Sequence, residues 1–169
     1  MVYDSWRGMV GIIKPTKGSG SLVELIKLLP EGIGVIPLFN HVRHGTIEEF
    51  QGAIPAYEEK IAELAQDKVD LIHPAGTPPF MLLGYKGEAE MIAKWEKRFG
   101  IPVFTSGTNQ IAAMKALGIR KFVGIGYDFE DTSIVARYFR DAGFSVLSLE
   151  KLPGSWEEVG RLSSKDIYY

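Results

Sequence analysis

The 169-residue chain contains no cysteine. That absence excludes disulfides, thiolate metal centres and any thiol nucleophile within these residues. The chain also lacks an excess of either charge. Its 19 Lys and Arg stand against 21 Asp and Glu, a formal net charge of -2. The two signs interleave, so there is no basic footprint for nucleic acid and none is expected as a partner. Long apolar runs are missing as well: the apolar stretches are strand-sized and broken by Gly, Pro or charge, well short of the ~20 residues a membrane helix requires. The amino end, "MVYDSWRGMVGIIKP", has no basic segment followed by an apolar one, so no export signal is read and a cytoplasmic location is expected. No G-x-x-x-x-G-K-S/T phosphate loop occurs, and "GIGYDFED" lacks the third glycine of a dinucleotide fingerprint.

What the chain does have is enough apolar surface, 46% of its residues, to bury a core. Its apolar runs alternate regularly with amphipathic segments. "GMVGIIKP" (8–15) and "GIGVIPLF" (32–39) read as buried strands on either side of a short helix, "GSLVELIKLLP". From Thr46 to Ala65, the residues Phe50, Ile54, Tyr57, Ile61 and Leu64 recur at helical spacing behind a Thr46-x-x-Glu49 capping box. "VDLIHPAG" is a third strand. A helix over 86–99 is stopped by Gly100, and "IPVFTSG" is a fourth strand followed by the helix "TNQIAAMKALG". "KFVGIGY" (121–127) is a fifth strand, with Asp128 placed to cap the helix "FEDTSIVARYFRDAG" and Asp131 in its first turn. "FSVLSLEKL" is a sixth strand, and Ser163 or Ser164, with Asp166 behind, starts a last helix. Strand then helix, repeated with short connections, predicts an α/β fold with a mainly parallel sheet and helices on both faces. A first α/β lobe is expected over 1–117 and the start of a second over 118–169. Two parallel strands make a poor core, so the second lobe is read as incomplete in this chain; a homo-oligomer is the other way to complete it.

Ligands of open parallel sheets bind outside the carboxyl ends of the strands. Three such ends carry usable chemistry: Pro15-Thr16-Lys17-Gly18, Gly76-Thr77-Pro78-Pro79 and Gly126-Tyr127-Asp128. Backbone N–H groups and hydroxyls there suit a small carboxylate. Glycine at 76 allows close backbone approach, and the prolines stiffen the exit. His73 reads as a core histidine, since no metal-spaced partner accompanies it. His41 and His44 read as solvated loop residues, and Lys14 and Lys17 as surface lysines.

Taken together, "GTIEEFQGAIPAYEEKIAELAQDKVDLIHPAGT" and "FGIPVFTSGTNQIAAMKALGIRKFVGIGYDFEDTSIVARYFRDAGFSVLSLE" resemble the aspartate/glutamate racemase superfamily, in particular its branch of arylmalonate decarboxylases and maleate cis-trans isomerases. The resemblance runs over about residues 9–160. It implies two flavodoxin-like lobes with the active site between them, and neither metal nor organic cofactor. Racemases and isomerases of this kind place one cysteine on each lobe. The first falls at Gly76 here and the second beyond Tyr169. Arylmalonate decarboxylases resemble this chain in having glycine at that position, and they need only one proton donor, because loss of carbon dioxide itself generates the enediolate. By position, Thr77 and Tyr127 are the hydroxyl donors that would hold the enediolate oxygens, with Gly76, Pro78 and Gly126 beside them and Pro15, Phe39, Phe50 and Phe80 forming an apolar wall. Pro78 stands where the decarboxylases carry a small hydroxyl residue, which removes two donors. The resemblance thus implies a decarboxylase of malonate-like acids. Maleate isomerase, racemase and a non-catalytic carboxylate-binding protein are the alternatives.

Overall fold

The computed structural model describes residues 5–17, 20–126 and 131–168. Its first sheet has three parallel strands, β1 (Gly8–Lys14), β2 (Ile33–Phe39) and β3 (Leu71–Pro74), in the order β2-β1-β3. Met9 pairs with Gly34 on one side of β1, and Ile12 with His73 on the other. The expected fourth strand is reduced to one bridge, Ile72 to Val103. Thr105 cuts it short by capping the next helix, α5 (Ser106–Ala116), in a reciprocal capping box with Thr108. The second sheet pairs β4 (Lys121–Gly126) with β5 (Ser145–Lys151), also parallel.

Helices α2 (Ile47–Gln66) and α4 (Gly84–Phe99) build the core with the first sheet, α1 (Gly20–Leu28) connects β1 to β2 with Val23, Ile26 and Leu28 exposed, and the short α3 (Pro78–Met81) lies between β3 and α4. The stripe Tyr57, Ile61 and Leu64 of α2 packs with Ile13, Ile72, Phe80 and Trp95 in the main core. Gly11 is glycine because a Cβ there would stand 2.7 Å from a Leu64 methyl. Thr46 caps α2 as predicted, but Glu49 does not return the bond. It accepts instead from the N–H groups of Arg43, His44 and Gly45 and so ties down the preceding loop.

After β4 come α6 (Thr132–Asp141), α7 (Trp156–Val159) and α8 (Ser164–Tyr168). Asp131, expected inside the first turn of α6, is its N-cap and accepts from Ser133 N–H at 2.8 Å. Asp128 lies outside the described residues. Ser163 accepts from Asp166 N–H at the start of α8. The second core joins Tyr138, Phe139 and Phe144 to Met81 and Ile111, residues that precede Gly118. Trp156 returns to the first sheet's side of the molecule and meets Phe50 edge-on, 5.6 Å between ring centroids. Among the described residues no helix is long and apolar enough to cross a membrane.

Candidate active site

The turn after β3 is the best-defined part of the site. Ala75 N–H donates to the Ile13 carbonyl at 2.8 Å, which holds the strand exit against β1. From below, the buried Tyr57 hydroxyl donates to the Ala75 carbonyl at 2.7 Å. Burial pushes the pKa of that phenol up, so it stays neutral and acts as a fixed donor. Gly76 then takes φ +100°, a backbone conformation that L side chains rarely adopt. A Cβ at Gly76 would lie 3.0 Å from the Pro15 ring and 3.3 Å from the Tyr57 hydroxyl. The Gly76 N–H donates to Ser106 Oγ at 3.3 Å.

The two prolines have a local explanation. Pro78 and Pro79 occupy the first two positions of α3, where a backbone N–H would lack an intrahelical acceptor. Thr77 is the N-cap residue, yet it has helical φ -80° and ψ -42° and its side chain makes no cap hydrogen bond. Its hydroxyl is therefore uncommitted to the helix. It lines a largely apolar cavity of about 450 Å³ between α5, α6 and the second sheet, with Pro78, Met114, Phe122, Val135 and Gly126. The polar groups Gln110, Thr132 and Glu150 reach its wall.

A second cavity, of about 810 Å³, lies on the other side of the same turn and is lined by Lys14, Pro15, Thr16, His73, Gly76 and Ser106. Lys14 is not the surface lysine expected: it is only 6% exposed, at the end of β1 where Gly11, Ile12 and Ile13 are buried as well. Burial lowers its pKa. His73 stacks on Phe104 with ring centroids 4.4 Å apart, and its Nδ1 lies 3.0 Å from the Phe104 carbonyl. A carbonyl can only accept, so Nδ1 carries the proton and Nε2 is left as an acceptor. Burial, partly offset by that carbonyl, pulls the His73 pKa below its ordinary value and favours the neutral ring.

The expected site residues are thus divided. Gly76 and Pro15 open on the polar cavity, and Thr77, Pro78 and Gly126 on the apolar one. Tyr127 lies outside the described residues. Three members of the expected apolar wall are elsewhere. Phe80 is fully buried in the main core between Tyr57 and Trp95, because α3 turns it inward. Phe50 is fully buried against Val42 and Trp156. Phe39 ends β2 beside Lys14 in register and lines neither cavity. Among the described residues no cluster of acids and histidines could hold a metal ion.

Two small parallel sheets, with a glycine-led exit after β3, make this an α/β protein of the parallel-sheet class. No family model matches the chain, and no curated protein does. Solved structures do match its fold. The maleate isomerase of Pseudomonas putida S16 superposes with a TM-score of 0.76 at 20% identity, over 88% of this chain and 65% of that one. A liganded arylmalonate decarboxylase, a variant with one glycine-to-cysteine and one cysteine-to-serine exchange, gives 0.80 at 16%, over 94% and 68%. The Nocardia farcinica maleate cis-trans isomerase with a covalently bound succinylcysteine intermediate gives 0.79 at 16%, over 95% and 70%. The chain has the fold of these Asp/Glu racemase superfamily structures and spans roughly two thirds of their length.

Proposed function

We propose that this chain carries the anion-stabilising half of a cofactor-independent decarboxylase of malonate-like acids. The observation that carries the reading is Gly76. Its φ of +100° and the Pro15 ring 3.0 Å from a would-be Cβ strain any side chain there, and no residue of this chain supplies the thiol that an isomerase or racemase of this kind carries at that position. Decarboxylation does not need one. Breaking the bond to the leaving carboxylate delivers its electron pair to the retained carboxylate as an enediolate. The task left to the protein is to stabilise two negative oxygens and then provide one proton. The uncommitted hydroxyl of Thr77 is one donor, and Tyr127, which follows the cavity-lining Gly126 in the sequence, is assigned as the other by the family resemblance alone. The apolar wall built by Phe122, Met114 and Val135 suits the substituent of such an acid and keeps water from the developing charge.

A second reading, a carboxylate-binding protein without chemistry, is favoured by Pro78, which is buried and has no N–H to offer. The test is to follow carbon dioxide release from aryl- and alkylmalonates by the intact protein, with conversion of maleate to fumarate assayed alongside. Release of carbon dioxide without fumarate is the expected result. Fumarate formation would transfer the assignment to the isomerases, and binding of the acids without either product would leave the non-catalytic reading.

A further inference from the structure

We propose that Glu88, Thr105 and Tyr138 form a proton-operated clamp on the apolar cavity: the joint holds α4, α5 and α6 together while the Glu88 carboxyl is protonated and loosens the cavity wall when it ionises. Glu88 of α4 is fully buried. One of its carboxyl oxygens lies 2.6 Å from Thr105 Oγ1, at the N-cap of α5, and the other accepts from the hydroxyl of Tyr138 on α6. That tyrosine oxygen is also where α5 and α6 come together, since a Cβ on Gly107 would stand 2.5 Å from it. One side chain thus fixes three helices at a point. Two of those helices carry the cavity: Gln110, Ala113 and Met114 line it from α5, and Thr132, Val135 and Phe139 from α6. Phe139 directly follows Tyr138, so a displacement of the tyrosine moves the wall.

The surroundings of Glu88 do not compensate a charge. From α5, Thr108 Oγ1 lies 3.1 Å from Thr105 Oγ1, and Lys115 sits over the Tyr85 ring, 5.8 Å from its centroid. On α4 itself, Tyr85 meets Tyr138 edge-on at 5.9 Å between centroids. The short α3 brings only Pro78, Pro79, Phe80 and Met81, none of which titrates. From α2, Glu58 reaches α4 at Trp95 and Arg98, two turns beyond Glu88. Among the described residues, burial is thus the largest influence on the Glu88 pKa and raises it, and only the Thr105 and Tyr138 hydroxyls pull the other way. Two hydroxyl partners satisfy a neutral carboxyl, whereas a carboxylate takes about four hydrogen bonds. The ionised form therefore lacks donors that only water can supply. Water reaches it by parting α6 from α5 at Gly107, the contact on which the cavity wall turns. The clamp is closed below the ordinary carboxyl value of 4.5 and opens as pH rises through the higher folded value. It rests on these contacts and not on any reaction, so it stands apart from the decarboxylase reading.

Methionine methyl groups report on the wall. Met81 and Met114 line the cavity, whereas Met9 packs against the main core. The full chain, labelled at its methionine methyls and assigned with Met81→Leu and Met114→Leu, is followed by NMR from below pH 4.5 into the mildly alkaline range. The Met81 and Met114 signals are expected to shift together with one midpoint above the ordinary carboxyl value, and Met9 to stay in place. Glu88→Gln is neutral at every pH and abolishes that transition, while Glu150, the acid on the cavity wall, still titrates. Tyr138→Phe removes a donor that favours the charged form and moves the midpoint to higher pH. Methyls that do not move with pH, or a transition that survives in Glu88→Gln, overturn the clamp. So does a Met9 signal that moves with the same midpoint, because the change is then global. Should Glu88→Gln fail to fold, Tyr138→Phe decides by itself: a midpoint that stays or falls refutes the proposal.

Discussion

At Gly76 the backbone φ of +100° and the Pro15 ring act together against a side chain. Gly76→Cys is therefore expected to cost about 1–3 kcal/mol of stability, as for other residues forced into sparsely populated backbone regions. Chemical denaturation of the variant measures it, and a variant as stable as the parent would mean the turn relaxes easily. One residue further on, the proposed decarboxylase reading has the Thr77 hydroxyl meet negative charge only as an enediolate forms. On that reading Thr77→Val lowers kcat about 100-fold while changing the binding of an unreactive acid far less, as for other donors aimed at developing charge. Equal losses in binding and turnover would point to plain ground-state recognition. The geometry of the turn was legible in the sequence, since a glycine leaving an apolar strand just before Pro-Pro marks a stiffened exit with an unusual backbone angle. The burial of Lys14 was not, whereas His73, read as a core histidine, is indeed stacked on Phe104 and satisfied by its carbonyl. A lysine at the end of "GIIKP" looks solvated, and nothing local shows that β1 stays covered through to its last residue. The fate of a histidine depends on where a non-local carbonyl, here that of Phe104, happens to lie.

Among the elements, α4, α5 and α6 are joined by one buried acid. Glu88 of α4 is fully buried. It accepts from Thr105 Oγ1, the cap of α5, at 2.6 Å, and from the hydroxyl of Tyr138 on α6. Gly107 makes room for the junction, since a Cβ there would come within 2.5 Å of the Tyr138 oxygen. Tyr138→Phe removes one donor from a buried carboxyl and is expected to cost about 1–3 kcal/mol. Burial raises the Glu88 pKa above its ordinary 4.5, against the opposing pull of the Thr105 and Tyr138 hydroxyls. The sign follows from the protonated form being the one the fold prefers. The contribution is complete below the unfolded value near 4.5 and is lost as pH rises through the higher folded value. Melting curves of the parent and Glu88→Gln taken across that range should diverge in this sense, the parent losing ground to the variant as pH rises. A difference that does not vary with pH would mean Glu88 does not titrate in that window. The helices themselves were readable, the one over 86–99 among them. The burial of Glu88 was not, because it depends on Thr105 and Tyr138 arriving from other elements. The fourth strand was overcalled because "IPVFTSG" has strand composition while Thr105 and Thr108 favour a helix capped two residues before its end, and the cap won.

The two sheets are unequally covered. The first is packed by helices into a continuous core, whereas Val123, Ile125 and Leu147 of the second are 70%, 68% and 63% exposed. Parallel strands with apolar residues on both faces are normally covered on both, and an apolar face open to water attracts another. Sedimentation of the 169-residue chain should therefore show association that grows with concentration and falls in Val123→Lys, and a monomer at all concentrations would refute it. The same imbalance bears on chemistry. In the proposed decarboxylation, the enediolate carbon left after carbon dioxide departs needs an acid close by with a suitable pKa. These residues include no thiol, Gly76 stands where the first lobe would carry one, and Tyr57, whose phenol is tied to the Ala75 carbonyl, is already committed. Residues 1–169 assayed alone are thus expected to bind malonate-like acids but to release no carbon dioxide above background. Measurable release would place the proton donor inside this chain, and the polar cavity would be the place to look. Loss of that release in His73→Gln or Lys14→Met, with retention in Ser106→Ala, would make one of those two groups the acid and replace the thiol assignment.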